Sequence, residues 1–219
     1  MLDLDGPAGP PGATVRHLLA HASGLGPDGG VLGPPGRRRI YSNAGFDALA
    51  GALEAASGLP AAGYLQEAVL DPLGMTATGL VGEGSLAKDG TGTVTDLARF
   101  CAGLLDPAEG VLAPTTVATL GTVQFDGLAG VLPGYGRYEP CDWGLGVEVR
   151  AAKDPHWTPA GASPGTFGHF GASGTFLWID PDAGLALVAL TDREFGDWAK
   201  AAWPALGADV RRSFMNTAF

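Results

Sequence analysis

Positive charge is scarce in this chain: 13 lysines and arginines stand against 23 aspartates and glutamates, for a formal net charge of −10. Nucleic acid and anionic membrane surfaces both require clustered basic side chains, so neither is expected as a partner. The one basic run, Arg37-Arg38-Arg39, is too short to change that. No apolar run approaches the ~20 residues needed to span a bilayer, and Met1-Leu2-Asp3-Leu4-Asp5 lacks the charged and apolar regions of a leader. As written, the chain is expected in the cytoplasm. Cysteine is nearly absent. Cys101 and Cys141 allow at most one disulfide and fit no metal-ligand spacing, so they read as ordinary thiols. No repeat recurs at a fixed period.

What is present is a chain of 219 residues with 46% hydrophobic content, enough for a packed core, punctuated by 36 glycines and 17 prolines. Apolar residues at helical spacing predict helices over Val15 to Ala22, Phe46 to Ser57, a third opened by Pro60, one capped by Thr95-Asp96 through about Leu105, and one from Thr115 toward Leu120. From Trp143 the pattern changes to alternation. Strands are expected over Trp143 to Arg150 and Thr166 to Phe170, then as a hairpin, Thr175 to Asp180 and Leu185 to Thr191, around Pro181-Asp182-Ala183-Gly184. A last amphipathic helix, Trp198 to Phe214, is expected to be interrupted at Pro204.

Four sets of residues carry candidate chemistry. Tyr41 and Asn43 flank Ser42 just ahead of the helix at Phe46, so both side chains can leave a tight loop in one direction; a phenol there serves as general acid or base if a nearby cation lowers its pKa from about 10. His17 and His21 stand four apart, a zinc-pair spacing, but Leu18 occupies the place of the metalloprotease glutamate and no third ligand is evident, so they read as capping or packing groups and no metal or cofactor is expected. Ser85-Leu86-Ala87-Lys88 matches Ser-x-x-Lys, yet it lies among Gly82, Gly84 and Gly90 in loop, not at the start of a buried helix, and reads as a decoy. His169-Phe170-Gly171 closes a strand, where backbone N–H groups can face an oxyanion, the glycine permits close approach, and the histidine can bond or steer a carboxylate.

Taken in order, Thr14-Val15-Arg16-His17-Leu18-Leu19-Ala20-His21-Ala22-Ser23-Gly24-Leu25, Tyr41-Ser42-Asn43, Asp71-Pro72-Leu73-Gly74-Met75-Thr76-Ala77-Thr78, Thr95 to Phe100, and Gly168 to Thr191 with His-x-Gly for Lys-Thr-Gly resemble the serine β-lactamase, penicillin-binding-protein and class C-like esterase superfamily. The resemblance implies that Tyr41 shares a proton with an active-site lysine and that Asn43 bonds the substrate's amide or ester flank. It also implies that His169 replaces the third motif's cation, that the Ala172 N–H is half of an oxyanion hole, and that Gly171 lines the substrate site. In that superfamily the Ser-x-x-Lys helix precedes the first of these segments, whereas this chain opens at Leu2-Asp3-Leu4-Asp5.

The expected fold is therefore α+β, one domain over 1–219 with a mainly helical lobe (1–140) and an antiparallel sheet with its C-terminal helix (141–219). It is expected to be incomplete at the N-terminus, without the first strands and the nucleophile helix. The expected function is acyl-enzyme hydrolysis of a small ester, amide or β-lactam by the family, with this chain inactive. The alternatives are a non-catalytic ligand- or partner-binding relic and a hydrolase that uses Ser85 and Lys88. His for Lys in the third motif leans toward an ester or peptide substrate. Without N-terminal partners, the uncharged strand Leu185 to Thr191 is expected to be an exposed edge through which copies associate, and any leader would lie in the missing part.

Overall fold

The computed structural model describes residues 2–82, 84–107 and 111–216. The chain opens as a loop docked on the first helix: Pro7 bridges Thr14, Gly6 O accepts from Val15 N at 3.1 Å, and Arg16 pairs with Asp5 at 2.8 Å. Thr14 caps that helix, α1 (Val15–Leu19), through its side-chain oxygen. Helix α1 ends short of the expected Ala22 because His21 takes φ 53°, outside helical space. The two histidines thus part company. His17 bonds Thr14 Oγ1 at 2.9 Å and stacks on Phe125, while His21 turns into the interior.

Helix α2 (Asn43–Ser57) starts three residues before Phe46, because Ser42 is a capping residue whose Oγ accepts from Gly45 N at 2.9 Å. Its stop is Gly58 at φ 73°, a conformation that favours glycine. Helix α3 (Ala61–Leu65) follows Pro60 and runs into a wide turn over Gln66–Leu70. The cap of α4 (Val94–Leu105) is Thr93, two residues earlier than Thr95, and this frees Asp96 for another task. Its buried carboxylate accepts from Ala77 N at 2.8 Å, Thr78 Oγ1 at 3.0 Å and Arg99 at 2.7 Å, tying the segment after Met75 to α4. Helix α5 (Pro114–Leu120) completes the helical part. That part also holds two small hairpins the sequence pattern did not reveal, β1 (Gly79–Leu80) with β2 (Gly90–Thr91) and β3 (Gly130–Leu132) with β4 (Gly136–Tyr138). Strands of two or three residues are too short to show alternation.

The main sheet is antiparallel, in the order β5 (Glu148–Val149), β6 (Phe167–Phe170), β7 (Phe176–Asp180), β8 (Leu185–Ala189). The expected strand from Trp143 shrinks to two residues, because Gly144 to Gly146 form a turn in which Gly144 N donates to Val147 O and Trp143 bridges Glu148. The β7–β8 hairpin forms as expected, with Gly184 at φ 60° in its turn. Side chains alternate along β7. Phe176 and Trp178 enter a core with Trp157 and Trp203 beneath helix α6 (Asp197–Met215), while Leu177 and Ile179 enter a second core with Cys101 and Leu104 of α4. Helix α6 is unbroken through Pro204; Ala199, Trp203 and Gly207, one turn apart, are its buried face.

Strand β8 is the outer strand of the sheet, but its side chains are not bared. Leu185, Leu187 and Ala189 pack on the first core, and Ala186 and Val188 on the second. Only its outward backbone edge is open. One face of the strand is covered by α4 and the other by the core that includes Trp203 of α6.

Candidate active site

Tyr41 is held by its neighbours in sequence. The buried guanidinium of Arg39 donates to four backbone carbonyls, Ala20 (2.8 Å), Phe125 (3.1 Å), Gln124 and Cys141, and so draws three loops to one point. His21 grips the residues on either side of Tyr41: its carbonyl accepts from Ile40 N at 2.8 Å, and its Nδ1 accepts from Ser42 N at 3.2 Å. That bond places the ring proton on Nε2. Ser42 Oγ donates to Gly26 O at 2.7 Å. Tyr41 therefore leaves a loop pinned at both flanks, and Asn43 opens α2 beside it.

The facing wall is the end of the sheet. The Tyr41 ring lies 5.8 Å from His169 on β6 and 4.6 Å from His21, and Trp143 stands 4.6 Å from His21 and 5.9 Å from His169. Past His169 the chain turns through Gly171, whose N donates to Thr175 O at 2.8 Å, and Gly174 at φ 80°. A Cβ on Gly174 would fall 1.8 Å from Arg193 O, so only glycine fits. Exposed Ala172 gives its carbonyl to Phe195 N, while its own N–H donates to no described residue. Tyr41, Asn43, His169, Gly171 and Ala172 all line one cavity of about 650 Å³.

Burial sets the charge states here. Loss of water pushes the Tyr41 phenol above its ordinary value, and no cation offsets it, so the lowering that a nearby lysine was expected to supply is not found. His169 is likewise pushed below its ordinary value by burial, and His21 down to about 3, so both imidazoles are neutral at pH 7. His169 thus brings no positive charge to the cavity. Ser85 and Lys88 do not form an activated pair. Ser85 Oγ donates to the Asp47 carboxylate of α2, and Lys88 Nζ makes no bond or ion pair with any described residue. Among the described residues no three His, Cys, Asp or Glu side chains converge on a metal-sized site.

Behind β6 lies a buried polar cluster that the sequence did not disclose. Glu148, paired with Gly168 beside His169, accepts from Lys153 Nζ at 2.6 Å, His156 Nε2 at 2.9 Å and Trp157 Nε1 at 2.7 Å. Burial alone would raise its pKa, but the bonds from His156 and Lys153 hold it below the usual carboxylate range. Arg39 and this cluster escaped sequence reading, and His21 was read only as a capping or packing group. Their one shared signal was polarity next to residues already singled out.

A model of the beta-lactamase family matches residues 2–211. The chain belongs to the beta-lactamase family. A beta-lactamase from Mycobacterium bovis is 52% identical, with a TM-score of 0.94 over 97% of this chain and 78% of that one. Two more distant structures share the fold. One is a beta-lactamase-like protein from Bacteroides dorei, 21% identical, with a TM-score of 0.70 over 92% of this chain and 72% of that one. The other is simvastatin synthase from Aspergillus terreus, 17% identical, with a TM-score of 0.68 over 91% and 69%. No curated protein sequence matches the chain.

These matches correct the expectation of a truncated, inactive relic without its first strands, nucleophile helix and nucleophile. The family model runs along nearly all of the chain, and 97% of it superposes on a 52% identical beta-lactamase, so family-wide serine-hydrolase chemistry is the supported reading and a lost function is not. Residues 2–14 form a loop bonded to α1. No helix among the described residues is long and apolar enough to cross a membrane.

Proposed function

We propose that the cleft hydrolyses a small ester, amide or β-lactam through an acyl-enzyme. The observation that carries this is the convergence of a phenol, a carboxamide and an unpaired backbone N–H on one cavity. The Tyr41 phenol, protonated at neutral pH, relays protons: in acylation it gives one to the leaving group and takes one from the serine hydroxyl that attacks the carbonyl, and in deacylation it takes one from the attacking water and returns one to that serine. Asn43 bonds the acyl flank. The Ala172 N–H, free of any described partner, donates to the carbonyl oxygen as it gains charge; such a donor is worth about 10² to 10³ in rate. Gly171 lets the substrate come close, and neutral His169 offers a ring nitrogen where the third-motif lysine would place a charge. For contacts beyond the small molecule, the open edge of β8 is the surface we propose for pairing of copies, and a sedimentation coefficient independent of concentration would remove it.

Turnover of a chromogenic cephalosporin and of a p-nitrophenyl ester tests the reading, together with the intact mass of protein quenched during turnover and peptide mapping of the acylated serine. The expected result is hydrolysis of at least one of the two and a mass increase equal to its acyl group. In Tyr41→Phe, kcat should fall by about 10² to 10⁴ with little change in KM. No turnover and no adduct with either compound would sink the proposal; an unchanged kcat would take Tyr41 out of it.

A further inference from the structure

The Ser85–Lys88 segment lies over the cleft without forming a nucleophile pair. Ser85 fastens the segment at two points: its Oγ donates to Asp47 of α2, one helical turn past Asn43, and its backbone N donates to Asp89 Oδ2 at 2.9 Å. Asp89 N returns a bond to Ser85 O at 3.0 Å, closing the loop on itself. This closed loop hangs Leu86, Ala87 and Lys88 on the cavity wall.

The cavity's remaining surface is mostly apolar, with Leu97, Leu132, Leu177, Phe170, Phe176 and Trp143 among its walls. Two formally charged side chains reach it. Glu148 is buried and already bonded to Lys153, His156 and Trp157, which leaves it nothing to offer a ligand. Lys88 is exposed, and its ammonium bonds no described residue. Among the described residues it is thus the one unpaired ionic group on a mostly apolar cleft.

We propose that Lys88 is a specificity-determining residue that binds an anionic group, a carboxylate, on a substrate whose remaining body is apolar, with Ser85 holding the loop in place. This rests on the acyl-hydrolase reading of the same cleft and adds the charge of its substrate. A charge-assisted bond at the rim of an apolar site is stronger than one in open water, and it weakens as salt rises.

Two p-nitrophenyl esters that differ only by a carboxylate at the end of the acyl chain provide the test. The wild type should favour the anionic ester, and the preference should shrink between 20 mM and 500 mM salt. Lys88→Gln should raise KM for the anionic ester by about 10-fold, leave the neutral ester within about twofold, and be rescued by Lys88→Arg. Equal effects on both esters, or none on either, would overturn the proposal. Calorimetric binding of 4-phenylbutyrate against its amide separates this from the function itself. A carboxylate preference lost in Lys88→Gln supports the anion site even where no ester turns over, and absence of that preference in the wild type overturns it.

Discussion

The two walls of the cleft are built by different forces. The Tyr41 wall is loop, held by Arg39, His21 and Ser42 through bonds to backbone groups. The His169 wall is a sheet end, held because β6 and β7 are packed from both sides by large apolar side chains; Trp157 and Trp178 are each 0% exposed. Burial is a summed, graded term of about 25 cal/mol per Å². A buried hydrogen-bond hub is close to all-or-none, since one lost donor leaves several acceptors bare. The proposed proton donor, Tyr41, therefore stands on the wall that loss of one donor can displace, and the proposed oxyanion donor, the Ala172 N–H, on the wall held by many summed contacts.

The largest expected effect breaks the sheet wall. Trp203→Ala removes a side chain packed against Phe170, Phe176 and Phe195 and should cost about 3–5 kcal/mol in urea unfolding. A loss under about 1 kcal/mol would mean that α6 is not what holds the sheet. Arg39→Met comes next, at about 3 kcal/mol, because the carbonyls of Ala20, Gln124, Phe125 and Cys141 lose their shared donor. Its signature is disproportionate: activity should fall further than the stability loss explains, since Tyr41 moves with the loop. If activity and stability fell in step, the hub would be no more than a packing element.

The smallest effect concerns pH and sharpens the contrast. His21 is neutral when folded, with its pKa lowered to about 3 by burial, but titrates near 6.5 when unfolded. Between those values the unfolded chain binds the extra proton, so stability is full above about pH 6.5 and declines as pH falls toward 3. Burial of His169 and His156 acts with the same sign. His21→Asn keeps an acceptor for Ser42 N–H and tolerates positive φ, but does not titrate. Urea midpoints at pH 7.5 and 5.0 should therefore lie closer together in His21→Asn than in the wild type. The same slope in both would clear His21 of the role.

The sequence was most legible where residues act locally. The β7–β8 hairpin followed from alternation around Pro181 to Gly184 and α2 from its apolar spacing, whereas the grouping of Tyr41, Asn43, His169, Gly171 and Ala172 on one cavity was expected only from the family resemblance. It was least legible where one residue's meaning depends on a distant one. His17 and His21 looked like a pair on one helix until a positive φ separated them, and Arg37-Arg38-Arg39 looked like one basic run although Arg39 is buried. Reading the opening residues as a broken edge led to the expectation of a lost activity, which the family match removed.

The sequence by itself determined the periodicities, the caps and the order of the motifs, because turn chemistry and side-chain alternation act over a few residues. Only the tertiary structure decided the charge of the site. Whether a phenol or an imidazole is ionised depends on how much water and which charges surround it. Those surroundings are assembled from Tyr41, Trp143 and His169, which meet only when the loop wall closes on the sheet.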